Sequence, residues 1–147
     1  MYVSTVIAIS GSIYAGLTGL LVGSFINLAA DRLPRGESVV TPPSHCRSCG
    51  RRLNAIDLLP VAGYVVRRGR CASCGVPIGV SSPIVEAVSG AMVIVPVAWL
   101  GVWPGAAAGL VLLVLWGAAV VWRAMRVAVI TRGSRTGTAS DFAPPVR

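Results

Sequence analysis

VSTVIAISGSIYAGLTGLLVGSFINLAA, from Val3 to Ala30, is a run of 28 residues without a charge. A bilayer core of about 30 Å is crossed by about 20 helical residues, so this run is long enough to span with some tilt. A cleaved signal peptide fits it poorly. No Lys or Arg precedes it, and the apolar stretch exceeds the roughly 7–15 residues of a signal-peptide core. Two further apolar runs follow downstream, Ile84 to Leu100 and Val102 to Trp122. Pro83 suits the first turn of a helix, where the N–H it lacks would have no intrahelical partner. Ser82 is placed to cap that helix, and Pro96 to kink it. Between the second and third runs, Gly101 to Pro104 leaves room only for a tight turn.

Composition agrees with three spans. Of 147 residues, 54% are hydrophobic and 12% charged, with a mean hydropathy of +0.75. Soluble domains carry about 25% charged residues. So little charge excludes a disordered chain and leaves too little to cover a water-soluble surface. All thirteen basic residues are Arg, and the net charge is +8. Such a balance can mark a nucleic-acid binder, but here its distribution reads as topology, and no nucleic-acid partner is expected. Eight Arg lie in Asp31–Ser82 and five in Arg123–Arg147, with none before Val3 or in Gly101–Pro104. The positive-inside rule then places the N-terminus outside, and the Asp31–Ser82 loop and the C-terminal tail in the cytoplasm. Trp99 and Trp103 flank the outer turn and Trp122 marks the inner end of the third span.

The expected fold is therefore an all-α integral membrane protein with three transmembrane helices and a cytoplasmic zinc-ribbon-like four-Cys loop. The spans are residues 3–30, 84–100 and 102–122; the loop is 31–82. Residues 123–147 form a basic cytoplasmic tail, frayed at its end. Within the first span Gly11, Ala15, Gly19 and Gly23 recur every four residues and make a small-residue ridge that permits close helix approach. The ridge packs either against this chain's other spans or against another protein.

The loop holds Cys46-Arg47-Ser48-Cys49-Gly50 and Cys71-Ala72-Ser73-Cys74-Gly75, two copies of C-x-S-C-G separated by 21 residues. Each C-x-x-C turn supplies two thiolates, and zinc takes four such ligands in a tetrahedron. The Gly after each second Cys permits a positive φ. Arg47, Arg51, Arg52 and Arg70 are near enough in sequence to offset the negative charge of four thiolates around one zinc ion. Disulfides need an oxidising compartment, which conflicts with the expected topology. A rubredoxin-type iron site has the same ligands, so zinc and iron both stay open. The metal ligands are expected to be Cys46, Cys49, Cys71 and Cys74, with His45 a neighbour. A closed four-Cys site leaves no open position for metal catalysis. Without metal, so small a loop is expected to be disordered.

Further residues carry a resemblance. Gly23-Ser24-Phe25-Ile26-Asn27-Leu28, Arg32-Leu33-Pro34-Arg35-Gly36-Glu37-Ser38, Ser44-His45-Cys46-Arg47-Ser48-Cys49-Gly50, Asp57-Leu58-Leu59-Pro60-Val61, Arg68-Gly69-Arg70-Cys71, Cys74-Gly75-Val76-Pro77-Ile78 and Pro83-Ile84-Val85-Glu86 occur in that order. Together, over about residues 16–90, they resemble the N-terminal domain of the type IV prepilin peptidases, the leader peptidase/N-methyltransferases of the peptidase A24 family. The resemblance implies a bacterial inner-membrane protein with a zinc-binding cytoplasmic loop, acting on prepilin-like substrates. It implies leader cleavage by an aspartic peptidase domain, and in many members N-methylation with S-adenosylmethionine, a function associated with the N-terminal domain.

The peptidase chemistry of that family needs two Asp, one in a Gly-x-Gly-Asp motif, because one carboxylate must act as base while its partner holds a proton. This chain has only Asp31, Asp57 and Asp141, none of which follows Gly. After the third span, where the resemblance places the first catalytic Asp, the sequence reads Val121-Trp122-Arg123-Ala124-Met125-Arg126. No catalytic residue is assigned, and no autonomous peptidase activity is expected. Residues 1–100 are read as the prepilin-peptidase N-terminal-like domain. It would process pilin-like proteins together with a separate aspartyl peptidase-domain protein. The alternatives are a non-catalytic zinc-binding adaptor for pilin or secretion assembly, and a truncated remnant. Asn27 is expected either to bond between helices or to read a substrate backbone. Glu86 is expected to favour a helix N-terminus, pair with a loop Arg or meet a substrate amine. Asp57 is expected to anchor a loop turn, with a substrate contact as the other reading. The Arg67-Arg68-Gly69-Arg70 run is read as a solvated cluster that sets topology, with anionic headgroups as the other reading.

Overall fold

A computed structural model describes residues 2–137, with side chains described from Thr5 to Arg132. Helix α1 spans Tyr2–Arg32 and leads into a 3-10 turn, Leu33–Arg35. A short helix α2, Ala62–Val66, lies within the loop; α3 spans Ser81–Leu100 and α4 Val102–Gly137. Helices α1, α3 and α4 are each long and apolar enough to cross a membrane. At 1.5 Å per residue, α3 is about 30 Å long and the Trp103-to-Trp122 stretch of α4 about 28 Å. Both match the hydrocarbon thickness of a bilayer.

The three long helices are held together by small residues. A Cβ on Gly19 would lie 2.8 Å from the Ser89 carbonyl oxygen, and one on Gly23 would lie 2.9 Å from Glu86 Cα. On the α3–α4 side, Gly105 abuts Pro96 and Val97, and Gly109 abuts Met92 and Val93. Gly11 faces Val102, and Gly117 faces Ile26, which sets α1 and α4 side by side. The ridge on α1 is therefore consumed by packing within this chain, against α3 and the start of α4. The buried centre is small: Ile26, Val93 and Leu113. Ser89 at its edge is fully buried and donates its hydroxyl to the Val85 carbonyl (2.7 Å). Leu17, Leu21 and Phe25, by contrast, face outward, as lipid-facing side chains do.

Three local expectations are corrected. Helix α3 begins at Ser81, and its N-cap position is Val80 with no side-chain cap bond, so Ser82 does not cap it. Its hydroxyl donates instead to Glu86 Oε1 (3.3 Å). The link between α3 and α4 is Gly101 alone, at φ +86°. Trp103 and Pro104 already belong to the first turn of α4, where proline's missing donor costs nothing. Finally, α4 does not stop at Trp122 but continues to Gly137. Ala124, Met125 and Val127–Ile130 sustain it, and Arg126 lies over the Trp122 ring at 4.2 Å. The far end of the expected tail, with Asp141, lies outside the described residues.

Candidate metal centre

The loop between α1 and α3 is built on a repeat of 25 residues. Each Cys turn closes with the same three backbone bonds. In the first, Cys46 N–H donates to Arg51 O (2.9 Å), Gly50 N–H to Cys46 O (2.9 Å) and Leu53 N–H to Ser44 O (2.9 Å). In the second, Cys71 N–H donates to Val76 O (2.9 Å), Gly75 N–H to Cys71 O (3.0 Å) and Ile78 N–H to Gly69 O (2.7 Å). Antiparallel bridges His45–Arg52 and Arg70–Pro77 flank them. Gly50 and Gly75 sit at φ +71° and +68°, the left-handed region in which a Cβ is strained, so glycine follows each second Cys.

These turns bring the four sulfurs together. All four Sγ atoms lie within 4.8 Å of one another. The shortest approaches run between the turns, Cys46–Cys74 at 3.8 Å and Cys49–Cys71 at 3.9 Å. Exchanging the two turns maps one contact onto the other, as a local twofold would. A tetrahedral site with zinc–sulfur bonds of about 2.3 Å has sulfur–sulfur edges of about 3.8 Å. A disulfide would need about 2.05 Å, and all four cysteines are free. The donor set therefore fits a tetrahedral metal ion.

Backbone amides prepare the sulfurs for negative charge. The amides of Cys49 and Ser48 hold the Cys46 thiol below its ordinary value. Those of Cys74 and Ser73 bring Cys71 down to about 6. At Cys49 the Arg51 amide pulls the thiol down, but burial and the sulfurs of Cys74, Cys46 and Cys71 outweigh it and push the thiol up to about 11. Four sulfurs this close share protons until a cation replaces them, which is the electrostatic condition for binding a divalent metal.

The arginines expected to offset the cluster are mostly committed elsewhere. Arg47 binds Asp31 (2.5 Å) and Glu37 (3.1 Å), tying the first Cys turn to the end of α1. Among the described residues Arg70 donates to the Gly75 carbonyl alone (3.4 Å). Arg51 alone faces both a carboxylate and a ligand sulfur: Asp57, then Cys71, raise its pKa. Asp57, 5% exposed, accepts Arg51 Nη2 and Arg67 Nε, each at 2.6 Å. It also accepts the Asn54 amide (3.1 Å), and its own amide donates to Asn54 Oδ1 (3.0 Å). Burial pushes the Asp57 carboxyl up, but the Asn54 amide and the Arg67 and Arg51 guanidiniums outweigh it and hold it below the usual carboxylate range. Asp57 is thus more than a turn anchor: it joins Arg51, just past the first Cys turn, to Arg67 at the end of α2, ahead of the second.

Glu86 makes the corresponding link to the bundle. It is buried and accepts the Val61 amide at 2.6 Å. Val61 is held at φ +57°, an outlier for a β-branched residue. No arginine meets Glu86 among the described residues. Asn27 does not bond between helices; its side chain has no hydrogen-bond partner among the described residues. With Asp31, His45, Arg47, Ser82 and Glu86 it borders two adjoining cavities of ≈ 280 and ≈ 470 Å³ between the loop and the helix ends. His45 Nδ1 pairs with the Pro43 carbonyl (3.0 Å), outside the sulfur cluster. Sequence reasoning missed the Arg47–Asp31–Glu37 bridge. Its signal was available: two of only five acids in the chain flank the end of the first span.

Residues 17–100, which contain the second half of α1, the four-Cys loop and all of α3, match the model of the Bacterial Peptidase A24 N-terminal domain. A prepilin leader peptidase/N-methyltransferase of Myxococcus xanthus is 39% identical over 79 residues, covering 54% of this chain and 24% of that protein. One from Pseudomonas putida is 36% identical over 107 residues, covering 58% and 37%. One from Bacillus subtilis is 37% identical over 71 residues, covering 48% and 29%. The chain thus spans well under half the length of these curated relatives. No solved structure matches it. With more than half of its length inside the family match, the chain belongs to the bacterial peptidase A24 N-terminal domain family.

Proposed function

We propose that this chain is the membrane-embedded N-terminal unit of a prepilin-processing system and works with an aspartyl peptidase domain supplied separately. The observation that carries the reading is the family match over residues 17–100, which takes in the second half of α1, the Cys loop and α3. In this reading Cys46, Cys49, Cys71 and Cys74 hold one structural zinc ion. The ion crosslinks the two Cys turns and supplies folding energy, with no chemistry of its own, because four protein ligands close its coordination. Arg distribution supports a cytoplasmic loop and C-terminus in the bacterial inner membrane. The substrates are prepilin-like proteins, and the transformations are leader cleavage, N-methylation from S-adenosylmethionine, or both. Residues 1–100 are the family unit, α4 to Trp122 the third span, and residues 123–147 a basic cytoplasmic extension.

The test is reconstitution. The purified chain, alone and with a polytopic protein bearing the Gly-x-Gly-Asp motif from the same membranes, is given a prepilin and labelled S-adenosylmethionine. Cleavage or label that needs both proteins is the expected result. Neither activity in the combination, despite a stable complex, would contradict the enzymatic role. One observation favours a second reading, a non-catalytic adaptor: the described acids Asp31, Glu37 and Asp57 are each committed to arginines. Co-purification of pilins without a peptidase partner would establish that alternative.

A further inference from the structure

The segment between the two Cys turns carries an apolar face that the chain leaves open. Ile56, Val65 and Val66 are 48%, 66% and 62% exposed and border neither cavity, while Leu58 and Leu59, 49% and 52% exposed, each line one of the two. In an ordinary solvated loop this would be an unusual density of bare apolar side chains. The depth of the segment gives the reason. Val61 hangs by its amide from Glu86 (2.6 Å), and Gly63 packs against the carbonyls of Ile56 and Asp57. Glu86 lies five residues into α3, whose length of about 30 Å equals the hydrocarbon core. Its carboxylate reaches back to Ser82, in the first turn. The segment therefore sits within about one turn of the plane where α3 enters the bilayer. Helix α4 marks that plane independently. Gly23 lies beside Glu86 and Gly117 beside Ile26, so Trp122, with Arg126 over its ring, stands about 12 Å, roughly two turns, beyond the level of Glu86, which leaves the segment on the bilayer side of that tryptophan.

Asp57 within the segment is neutralised by Arg51 and Arg67, and the charges left unpaired beside it are positive. Arg67 is committed to Asp57. Arg68 and Arg70 are exposed and pair with no carboxylate among the described residues. Apolar side chains at the level of the acyl boundary, followed at once by free arginines, are the pattern of a segment that lies in the membrane surface. Each such arginine near an anionic surface adds attraction.

We propose that residues 56–66 form an interfacial anchor whose apolar side chains enter the leaflet boundary, while Arg68 and Arg70 bind anionic lipid headgroups. The anchor would fix the height of the metal-binding turns above the membrane. The proposal rests on α1, α3 and α4 spanning a bilayer, and the test separates the two. The full chain is reconstituted into phosphatidylcholine vesicles with and without phosphatidylglycerol. A nitroxide is placed, one site at a time, at Val66, Ile56, Leu112 and Ala72 through an incorporated keto amino acid. Accessibility to oxygen and to a water-soluble nickel chelate is then compared. Val66 and Ile56 are expected to favour oxygen, as mid-span Leu112 does, and Ala72 to favour nickel. Replacing both Arg68→Gln and Arg70→Gln should shift Val66 toward nickel in anionic vesicles only. Val66 behaving like Ala72 while Leu112 remains buried would overturn the anchor and leave the spans intact. So would protection of Val66 that appears only when a pilin-like peptide is added. An unchanged Val66 after the arginine replacements would overturn the headgroup contact. Nickel accessibility at Leu112 would overturn the spanning reading itself, and the anchor with it.

Discussion

Replacing Asp57→Asn keeps the shape of the side chain and removes the charge that Arg51 and Arg67 share. Both contacts are 2.6 Å long and the carboxylate is 5% exposed, while the two arginine side chains are 25% and 26% exposed. A hydrogen bond to a charged group contributes about 1.5–3 kcal/mol, and stripping one member from a buried pair costs about 3–5 kcal/mol. Water reaches the arginines and recovers part of that, so the expected loss is about 2–4 kcal/mol. Because Asp57 joins the two halves of the sulfur site, the loss should appear as opening of the loop. At about 1.4 kcal/mol per factor of ten, metal should pass to a competing chelator about 30- to 1,000-fold faster. Arg47→Gln is the control. Its pairs with Asp31 and Glu37 are roughly half exposed, at 49% against 42% and 40%, and exposed pairs contribute about 0–1 kcal/mol each. The two pairs together contribute at most about 2 kcal/mol, so it should accelerate release by no more than about 30-fold, the foot of the range expected for Asp57→Asn. The assay belongs at neutral pH. The folded Asp57 carboxyl is held below its usual value, so its contribution is complete above the unfolded value of about 3.9. That contribution is lost only as pH falls through the lower folded value. Release from Asp57→Asn at the parent rate, or no faster than from Arg47→Gln, would refute the reasoning.

Gly19→Ala should cost about 1–3 kcal/mol, since its Cβ meets the Ser89 carbonyl and Gly90 backbone, which no rotamer relieves. Gly16→Ala meets only the flexible end of Ile94 at 3.3 Å and should be near neutral; equal thermal midpoints in detergent would contradict this. Glu86→Ala leaves the Val61 amide without its acceptor and should cost about 1–3 kcal/mol. Faster hydrogen exchange confined to the segment around Val61 is the expected sign, and unchanged exchange there the contrary one. Stripping the metal should make residues 38–80 exchange rapidly and become protease-sensitive while α1, α3 and α4 stay protected. A loop that remains ordered without metal would contradict the claim that the ion folds it.

The three spans were legible because uncharged apolar length is a strong signal that needs no tertiary information. The sulfur cluster was legible for a related reason: two copies of one turn motif declare their own symmetry. What the sequence concealed depends on partners distant along the chain. The ridge Gly11–Gly23 gives the same spacing whether it meets α3 or another protein, and only the backbone of Ser89 and Gly90 shows which. Arg47 and Arg51 look alike beside their cysteines, yet one is held by α1 and the 3-10 turn's exit and the other by a buried Asp57. The end of α4 was misplaced because Arg123 and Arg126 read as a polar tail. An amphiphilic helix that leaves the membrane has the same composition, and Arg132 donating to the Pro34 carbonyl (2.8 Å) shows that it continues beside the loop.

The central claim is that four cysteines from two related turns hold one metal ion that organises the loop. X-ray absorption on the full chain, purified from native membranes, tests it most directly, together with metal analysis. One zinc per chain with four sulfur neighbours at about 2.3 Å is the expected result. A metal-free protein, sulfurs paired at about 2.05 Å, or a metal coordinated chiefly by nitrogen and oxygen would contradict it.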